Sequence, residues 1–354
     1  MVNFELLKRL CESPGVPGNE GPIRSVIVEE MKSLVDEITL DAMGNVIGVK
    51  RGLGGPRVMV AAHMDEIGFI VKHIDDKGFL RLQPLGGWDP RNLVSQRVYV
   101  HAKSGEALLG VLMPSSKPIH MQTPEDANKA PKIDELFVDL GRTGDEVKEL
   151  VEIGCPVTLA RTAEIVGRNV VSKTLDDRLA VFVMLEALRQ VGAHACDILA
   201  VATVQEEVGL RGATTAAYSL KPDVGIAVDV TIANDFPGPA DHEQVTKLGG
   251  GAAIKVMDLS LVCHPKLVRH FRDVAEKHEI PYQLEILSRG GTDAGAIQRS
   301  RDGVPSFTLS IPCRYVHTVN ETAAVADIEA AINLLARYFE DAHTRQYGYE
   351  MDLA

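Results

Sequence analysis

Apolar and polar residues follow two different periods along the chain, and the period changes at defined positions. Helical spacing predicts helices over 20–36, 176–191, 209–219, 265–279 and 327–340. Alternating or unbroken aliphatic runs predict strands over 37–41, 46–51, 57–62, 197–204, 223–230, 283–287 and 304–311. The strand at 57–62 is almost wholly apolar, which is typical of a central strand buried on both faces. The first and last parts of the chain therefore predict an α/β fold, with a mixed sheet flanked by helices.

The pattern changes between residues 67 and 165. Short alternating segments recur over 67–74, 79–83, 97–102 and 107–112, with Gly, Pro and Asp turns between them. The stretch 114–132 is polar, contains several prolines and has no periodicity, which indicates a long loop. We therefore predict a small β-rich domain, a β-barrel or PDZ-like fold, inserted over 67–165. The larger domain is then made of 1–66 and 166–354.

Composition narrows the classes of partner. The 354 residues carry a formal net charge of −12 and no Lys/Arg-rich run, which argues against nucleic acid and anionic membranes as partners. Five dispersed cysteines without a Cys-x-x-Cys pair argue against a disulfide framework and a cysteine-based zinc site. The chain has no apolar run of about 18 residues and no evident signal peptide. We expect a cytoplasmic protein.

Six residues with metal-binding side chains stand where predicted elements end or begin. Four follow or end apolar strands, one lies just past another strand and one opens a helix: His63, Glu206, Glu207, Asp229, His317 and Asp176. Ligands of open α/β sheets bind outside the carboxyl ends of the strands, so these side chains can converge. Imidazoles mixed with carboxylates suit zinc, cobalt or manganese, and a carboxylate can bridge two ions. The pattern predicts a two-metal hydrolase.

Each of these residues also has an ordinary explanation. His63 could be a strand-end histidine, and Glu206 and Glu207 a solvated loop pair. Asp176 could simply cap a helix, since aspartate is favoured at that position. Asp65 lies two residues after His63 on the same strand side, where its carboxylate could accept the other ring N–H of the histidine.

A glycine-rich loop is the remaining candidate. Residues 290–295, with Gly291, Thr292 and Asp293 at their centre, could hold a substrate through backbone N–H groups or form an ordinary strand-to-helix turn. The loop lacks the lysine and the spacing of phosphate-binding motifs. No Gly-x-Ser-x-Gly motif occurs, and no cysteine has a histidine partner motif, so a nucleophilic mechanism has no good candidate.

Several motifs taken in order carry a resemblance that covers nearly the whole chain. They are Ala62-His-Met-Asp-Glu-Ile-Gly-Phe69, Pro84-Leu-Gly-Gly-Trp88, Thr174-Leu-Asp-Asp-Arg178, Val204-Gln-Glu-Glu-Val-Gly-Leu-Arg-Gly-Ala213, Gly290-Gly-Thr-Asp-Ala-Gly295 and Arg314-Tyr-Val-His317. In this order they resemble metallopeptidase family 42, the tetrahedral aminopeptidases that include glutamyl and leucyl aminopeptidases. The resemblance implies a zinc-peptidase-like catalytic domain.

The resemblance also implies roles for single residues. His63 and Asp229 would hold one divalent metal ion, Glu207 and His317 a second, and Asp176 would bridge them, followed by a cis peptide bond. Glu206 would be the general base and acid, and Asp65 would orient His63. His120, in the long loop, would approach a neighbouring subunit's site. Zn²⁺ is the expected metal, with Co²⁺ or Mn²⁺ as alternatives.

The implied activity is removal of the N-terminal residue from short peptides. The implied partner is the chain itself, as a homo-oligomeric dodecamer with a hollow interior, assembled through the inserted domain. A related two-metal deacylase or carboxypeptidase, a glycan hydrolase and a non-catalytic shell remain alternatives. The preferred N-terminal residue is not readable from the sequence, because Lys255, Arg289 and Arg314 could each favour acidic side chains or form structural ion pairs.

Overall fold

The computed structural model describes residues 2–117, 119–124 and 130–349. One part is an 11-stranded mixed sheet with helices packed against it, and the other is a closed barrel of six strands. The predicted fold class is therefore confirmed: a mixed α/β sheet with helices, and a small β-barrel inserted into the sequence between its strands.

Helices and strands are numbered separately, each in chain order. The described helices are α1 (Phe4–Glu12), α2 (Gly21–Met31), α3 (Gly144–Leu150), α4 (Leu175–Gln190), α5 (Arg211–Leu220), α6 (Pro265–Lys277), α7 (Asp293–Gln298) and α8 (Val325–Asp341). The strands of the large sheet are β1 (Glu37–Leu40), β2 (Val46–Lys50), β3 (Arg57–His63), β10 (Glu164–Val166), β11 (Asn169–Ser172), β12 (Asp197–Thr203), β13 (Val224–Ile232), β14 (Ala252–Met257), β15 (Tyr282–Ile286), β16 (Ser306–Arg314) and β17 (Glu321–Ala324).

Four parallel strands form the centre of the large sheet. Their order is β12, β3, β13, β16, and each pairs in parallel with the next. Nearly every residue of β3 and β13 is buried, because helices cover both faces of the sheet. Helix α4 packs across this centre with most of its residues buried. The carboxyl ends of the central strands therefore meet at one edge of the sheet.

The barrel strands follow β3 directly. They are β4 (Gly68–Ile74), β5 (Leu80–Leu85), β6 (Gln96–His101), β7 (Ala107–Pro114), β8 (Leu136–Asp139) and β9 (Pro156–Leu159). The strands pair antiparallel in the closed order β4, β5, β8, β7, β6, β9, which leaves no free edge within the barrel. Phe69 belongs to the barrel's separate apolar core, and Trp88 stacks on it with 5.1 Å between the ring centroids.

Several elements were not predicted from the periodicity. Helix α1 buries Leu6, Leu7 and Leu10 and is capped by Asn3, whose side chain accepts from the N–H of Leu6 at 3.2 Å. Strand β14 was missed because a lysine, Lys255, interrupts its apolar run. Strands β11 and β17 are only four residues long and begin with the polar residues Asn169 and Glu321, so no apolar run indicates them.

The predicted loop at 114–132 is partly described. Pro114 belongs to β7, and Ile119–Met121 form a 3₁₀ turn, while residues 118 and 125–129 lie outside the described residues. All five cysteines are buried and unpaired with one another, in agreement with the predicted absence of a disulfide framework. In the described part of the chain, no helix is both long and apolar enough to cross a membrane.

Candidate metal centre

The acidic and histidine residues at the ends of the central strands lie at the same sheet edge. His63 is the last residue of β3 and pairs in register with Thr203 of β12, so Glu206 and Glu207 follow close beside it. Asp229 lies on β13, the other neighbour of β3. The parallel arrangement of three adjacent strands thus gathers residues that are far apart in the sequence.

Asp176 reaches this edge from the start of α4. Its backbone has φ −79° and ψ 104°, outside the helical region, and the Asp176–Asp177 peptide bond is cis, as the resemblance implied. The carboxylate lies between two imidazoles. Its Oδ1 is 3.1 Å from Nε2 of His63, and its Oδ2 is 3.3 Å from Nε2 of His317. The alternative of a simple helix cap does not describe these contacts.

The side chains form overlapping groups of possible metal ligands. In each group the candidate ligand atoms lie within 4.8 Å of one another: His63, Asp176, Asp177 and Asp229; Asp176, Glu207 and His317; His63, Glu206 and Glu207. Asp176 is shared by the first two groups. The Oδ1 of Asp177 is buried and makes no hydrogen bond to the described residues, and the buried Oε1 of Glu207 has the Nε2 of His317 3.2 Å away. Buried carboxylates with so few partners fit a site for divalent cations, which would offset their charge.

The protonation of these groups reflects a surplus of carboxylates. Burial lowers the pKa of His63, but the surrounding carboxylates, with Glu206 first, outweigh it and raise the pKa well above its usual value. Burial lowers the pKa of His317. Its hydrogen bonds to Asp176 and Glu207 outweigh this effect and raise the pKa to about 12. Burial raises the pKa of Asp229 well above the usual carboxyl range. Divalent cations bound among these groups would offset the surplus of negative charge and compete with protons for the same atoms.

Other buried carboxylates hold the backbone of the candidate ligands. The Oδ2 of Asp177 accepts from the N–H of His63 at 3.1 Å. The carboxylate of Asp65 accepts from the N–H of Glu206 at 3.0 Å and from the N–H of Glu207 at 3.2 Å. These bonds fix the chain where it leaves the strands, so the ligand side chains start from defined positions.

Asp65 therefore contacts the site differently from the arrangement that the sequence suggested. The Nδ1 of His63 lies 3.1 Å from the backbone carbonyl oxygen of Asp65 and 3.6 Å from its Oδ1. The carbonyl is the nearer acceptor for the ring N–H, because the carboxylate is engaged with the two glutamate backbones. The carbonyl oxygen and the carboxylate of Asp65 thus both lie beside Nδ1 of His63, with the carbonyl oxygen nearer.

A pocket of about 420 Å³ opens onto these residues. Its wall includes Gly291 and Thr292 from the glycine-rich loop. The N–H of Thr292 donates to Oγ of Ser260 at 3.3 Å, so this N–H is engaged within the protein rather than free for a substrate. Asp293 is buried behind the wall, where its Oδ2 accepts from Oγ1 of Thr203. His120 is exposed and is not part of the pocket wall that the described residues form.

The three basic residues that could favour acidic substrates, named from the sequence, have different surroundings. Lys255 lines the pocket, is fully buried, and its Nζ lies 3.0 Å from Oε1 of Glu285. Arg289 lines the pocket and is exposed. Arg314 forms a two-pronged ion pair with Asp235, with N–O distances of 2.7 and 2.8 Å, and is structural. The pocket therefore presents two cationic side chains, one of them already paired.

Two residues of this centre are not predicted from the sequence: Asp177, which belongs to the first group of candidate ligands, and Glu321. Glu321 is buried at the start of β17, and both of its oxygens accept backbone N–H groups, one from Asp176 and one from His317. Its position four residues after His317, at the start of an apolar strand, is the only signal in the sequence. That signal is weak because a glutamate at a strand start is usually exposed.

The sequence and the fold have close counterparts among known proteins. Residues 44–334 match the family described as M42 glutamyl aminopeptidase. A lysyl aminopeptidase from Pyrococcus furiosus is 41% identical over 353 residues, which covers 96% of this chain and 98% of that protein. The structure of an aminopeptidase from the archaeon Desulfurococcus kamchatkensis is 42% identical with a TM-score of 0.91, covering 95% of this chain and 94% of that one.

For a third relative, the assembly of its subunits is also described. The TET1 peptidase of Pyrococcus horikoshii, whose structure is described as assembling into a tetrahedron or a large octahedral shell, is 32% identical with a TM-score of 0.84. The alignment covers 95% of this chain and 98% of that chain. Family match, sequence identity and fold thus agree over nearly the full length. The chain belongs to the M42 glutamyl aminopeptidase family and is a peptidase.

Proposed function

We propose that the protein is an aminopeptidase that removes the N-terminal residue of short peptides with the help of two divalent cations. The observation that carries the proposal is the position of Asp176, whose two carboxylate oxygens face different histidines at 3.1 and 3.3 Å. A carboxylate shared in this way is the ligand that a pair of cations requires. Family membership and the names of the relatives support the peptide-hydrolysing part.

The donor atoms divide between two cations. His63 and Asp229 would hold one cation, and Glu207 and His317 would hold the other. Asp176 would contribute to both sites. Nitrogen and carboxylate donors together suit Zn²⁺ best, with Co²⁺ or Mn²⁺ as alternatives. When bound, such a pair lowers the pKa of a water molecule and polarises a carbonyl group.

Glu206 is placed to move the proton. Its side chain lines the pocket, and its Oε2 lies 3.9 Å from Nε2 of His63, the longest contact of that imidazole with the surrounding carboxylates. Burial raises its pKa well above the usual range, against the opposing effect of His63, and a carboxylate whose pKa is raised can act in proton transfer. Glu206 would take a proton from the attacking water and deliver it to the leaving amine.

The carboxylates also select for a free α-amine. A cationic ammonium group of the substrate would be attracted by the carboxylates of Glu206 and Glu207, which line the pocket. The alternative is a related deacylase or carboxypeptidase, which would need a cation to bind a substrate carboxylate. Exposed Arg289 on the pocket wall is the observation that favours this alternative.

Acetylation of the substrate separates these two functions. An aminoacyl substrate such as leucyl-p-nitroanilide should be hydrolysed. Its N-acetylated counterpart should react at least about 100-fold more slowly, because acetylation removes the positive charge of the α-amine that the site carboxylates attract. Release of nitroaniline measures hydrolysis of the leucyl–anilide bond in both compounds, and release of acetate measures removal of the acetyl group. Release of acetate from the acetylated compound would favour the deacylase, and equal rates of nitroaniline release would contradict the selection of a free α-amine.

We also propose that the protein is a cytoplasmic homo-oligomer, a tetrahedral dodecamer, with residues 67–165 as the assembling domain and His120 near a neighbouring site. The described assembly of the TET1 peptidase supports the oligomer. The barrel supports a contact surface, since Tyr99 and Leu109 are paired across β6 and β7 and both are exposed. Exposed apolar pairs of this kind are common at contact surfaces between subunits.

A further inference from the structure

A buried carboxylate connects two of the candidate ligands through their backbones. Glu321 opens β17 and is 1% exposed. Its Oε2 accepts from the N–H of Asp176 at 3.0 Å, and its Oε1 accepts from the N–H of His317 at 2.7 Å. One side chain thus uses both oxygens to hold two residues that belong to different parts of the fold.

Neither of these backbones is fixed by regular structure. Asp176 lies where the chain departs from helical geometry, with ψ at 104°. His317 has φ at 62°, in the left-handed region that residues with a Cβ atom seldom adopt. A conformation of this kind persists only where its surroundings hold it. The two hydrogen bonds that Glu321 accepts are such contacts, and they act on both residues at once.

A carboxylate is the side chain that can do this. It offers two oxygens that only accept, whereas glutamine offers one accepting oxygen and an NH₂ group that would face one of the N–H donors. Among the described residues, no lysine or arginine forms an ion pair with Glu321. Its function is therefore not that of a partner to a structural cation, and its hydrogen bonds to the ligand backbones are its main contacts.

We infer that Glu321 is a positioning residue, which sets the distance between the side chains of Asp176 and His317 so that both reach one cation. The inference rests on the proposed function, because it presupposes that these side chains bind metal. It assigns to Glu321 no contact with metal or substrate. Its loss should weaken the Asp176–Glu207–His317 site more than the site of His63 and Asp229.

The test compares Glu321→Gln with Thr322→Val, a control on the same strand that also loses one hydrogen bond, from Oγ1 to the carbonyl of Asn320. Zinc is titrated into each metal-stripped protein against a competing chelator, and kcat and KM are measured at low and high zinc. In Glu321→Gln one of the two zinc equivalents should bind about 10- to 100-fold more weakly. Its kcat should fall at low zinc and partly recover at high zinc, with KM nearly unchanged. The control should match the natural protein.

Three results for Glu321→Gln would overturn the inference, because each indicates a structural role only. The first is unchanged zinc binding with a lower unfolding temperature. The second is equal weakening of both zinc equivalents, and the third is a kcat that excess zinc does not restore. If Glu321→Gln does not fold, Glu321→Asp is tested instead, because it keeps the charge on a shorter side chain. The same selective weakening of one zinc equivalent is expected. Normal zinc affinity, or failure to fold, in Glu321→Asp also rejects the inference. Failure of the proposed function is distinguishable, because the natural protein itself would then bind no pair of zinc ions.

Discussion

Replacement of Glu206 by glutamine should lower kcat by about 10²- to 10⁴-fold, the range that a general base contributes. Glutamine keeps the shape of the side chain but cannot take up the proton of the attacking water. Because Glu206 is proposed as the base rather than a ligand, the variant should bind as much zinc as the natural protein. Initial rates on an aminoacyl substrate and the zinc content of the purified protein measure the two effects.

The neighbouring residue provides the matched control. Glu207 belongs with Asp176 and His317 to one group of candidate ligands, and its Oε1 lies 3.2 Å from Nε2 of His317. Glu207→Gln should therefore lose zinc from one site, whereas Glu206→Gln should not. If Glu206→Gln turned over at a near-normal rate, or lost zinc as Glu207→Gln does, the role of Glu206 as a base would be wrong.

Replacement of Asp176 by asparagine should have the largest effect. Asparagine has one accepting oxygen and an NH₂ group, so it cannot offer an oxygen to each of the two sites. Loss of the shared ligand should disrupt the whole centre and reduce activity by a factor on the order of 10⁴ or more, since the lowering of a water's pKa depends on the cations. Zinc analysis should show fewer than two equivalents per subunit.

An aspartate at the opposite end of the sheet serves as the control for this variant. Asp223 precedes β13, and its Oδ2 accepts from the N–H of Arg57 at 2.8 Å, so it holds the amino ends of two central strands. Asp223→Asn should keep both zinc content and activity. Two zinc equivalents and substantial activity in Asp176→Asn would show that Asp176 is not the shared ligand.

Much of the fold could be predicted because its strands are distinctive. The unbroken apolar run that ends at His63 predicts a central strand, and the structure places it between two parallel neighbours. The barrel was predicted as a β-rich insertion from its short alternating segments. Strand β14 could not be predicted, because Lys255 within it is stabilised by Glu285 of the adjacent strand. Periodicity contains no information about such a pairing.

The candidate site divides in the same way. The positions of His63, Glu207 and Asp229 at strand ends were readable, since the sheet gathers the carboxyl ends of its parallel strands. The hydrogen bonds that hold their backbones were not. Asp65 was expected to face the ring of His63 with its carboxylate, which lies 3.6 Å from Nδ1, but its bonds to the backbone N–H groups of residues 206 and 207 could not be foreseen. Such contacts depend on loop geometry, which the sequence pattern does not determine.

The most direct test of the central claim is a zinc titration of the metal-stripped protein with activity followed at each step. A centre built around Asp176 should bind two equivalents per subunit, and hydrolysis of an aminoacyl substrate should be absent in the stripped protein and return fully only as the second equivalent binds. Full activity after metal removal, or a single equivalent sufficient for full activity, would contradict a two-cation aminopeptidase.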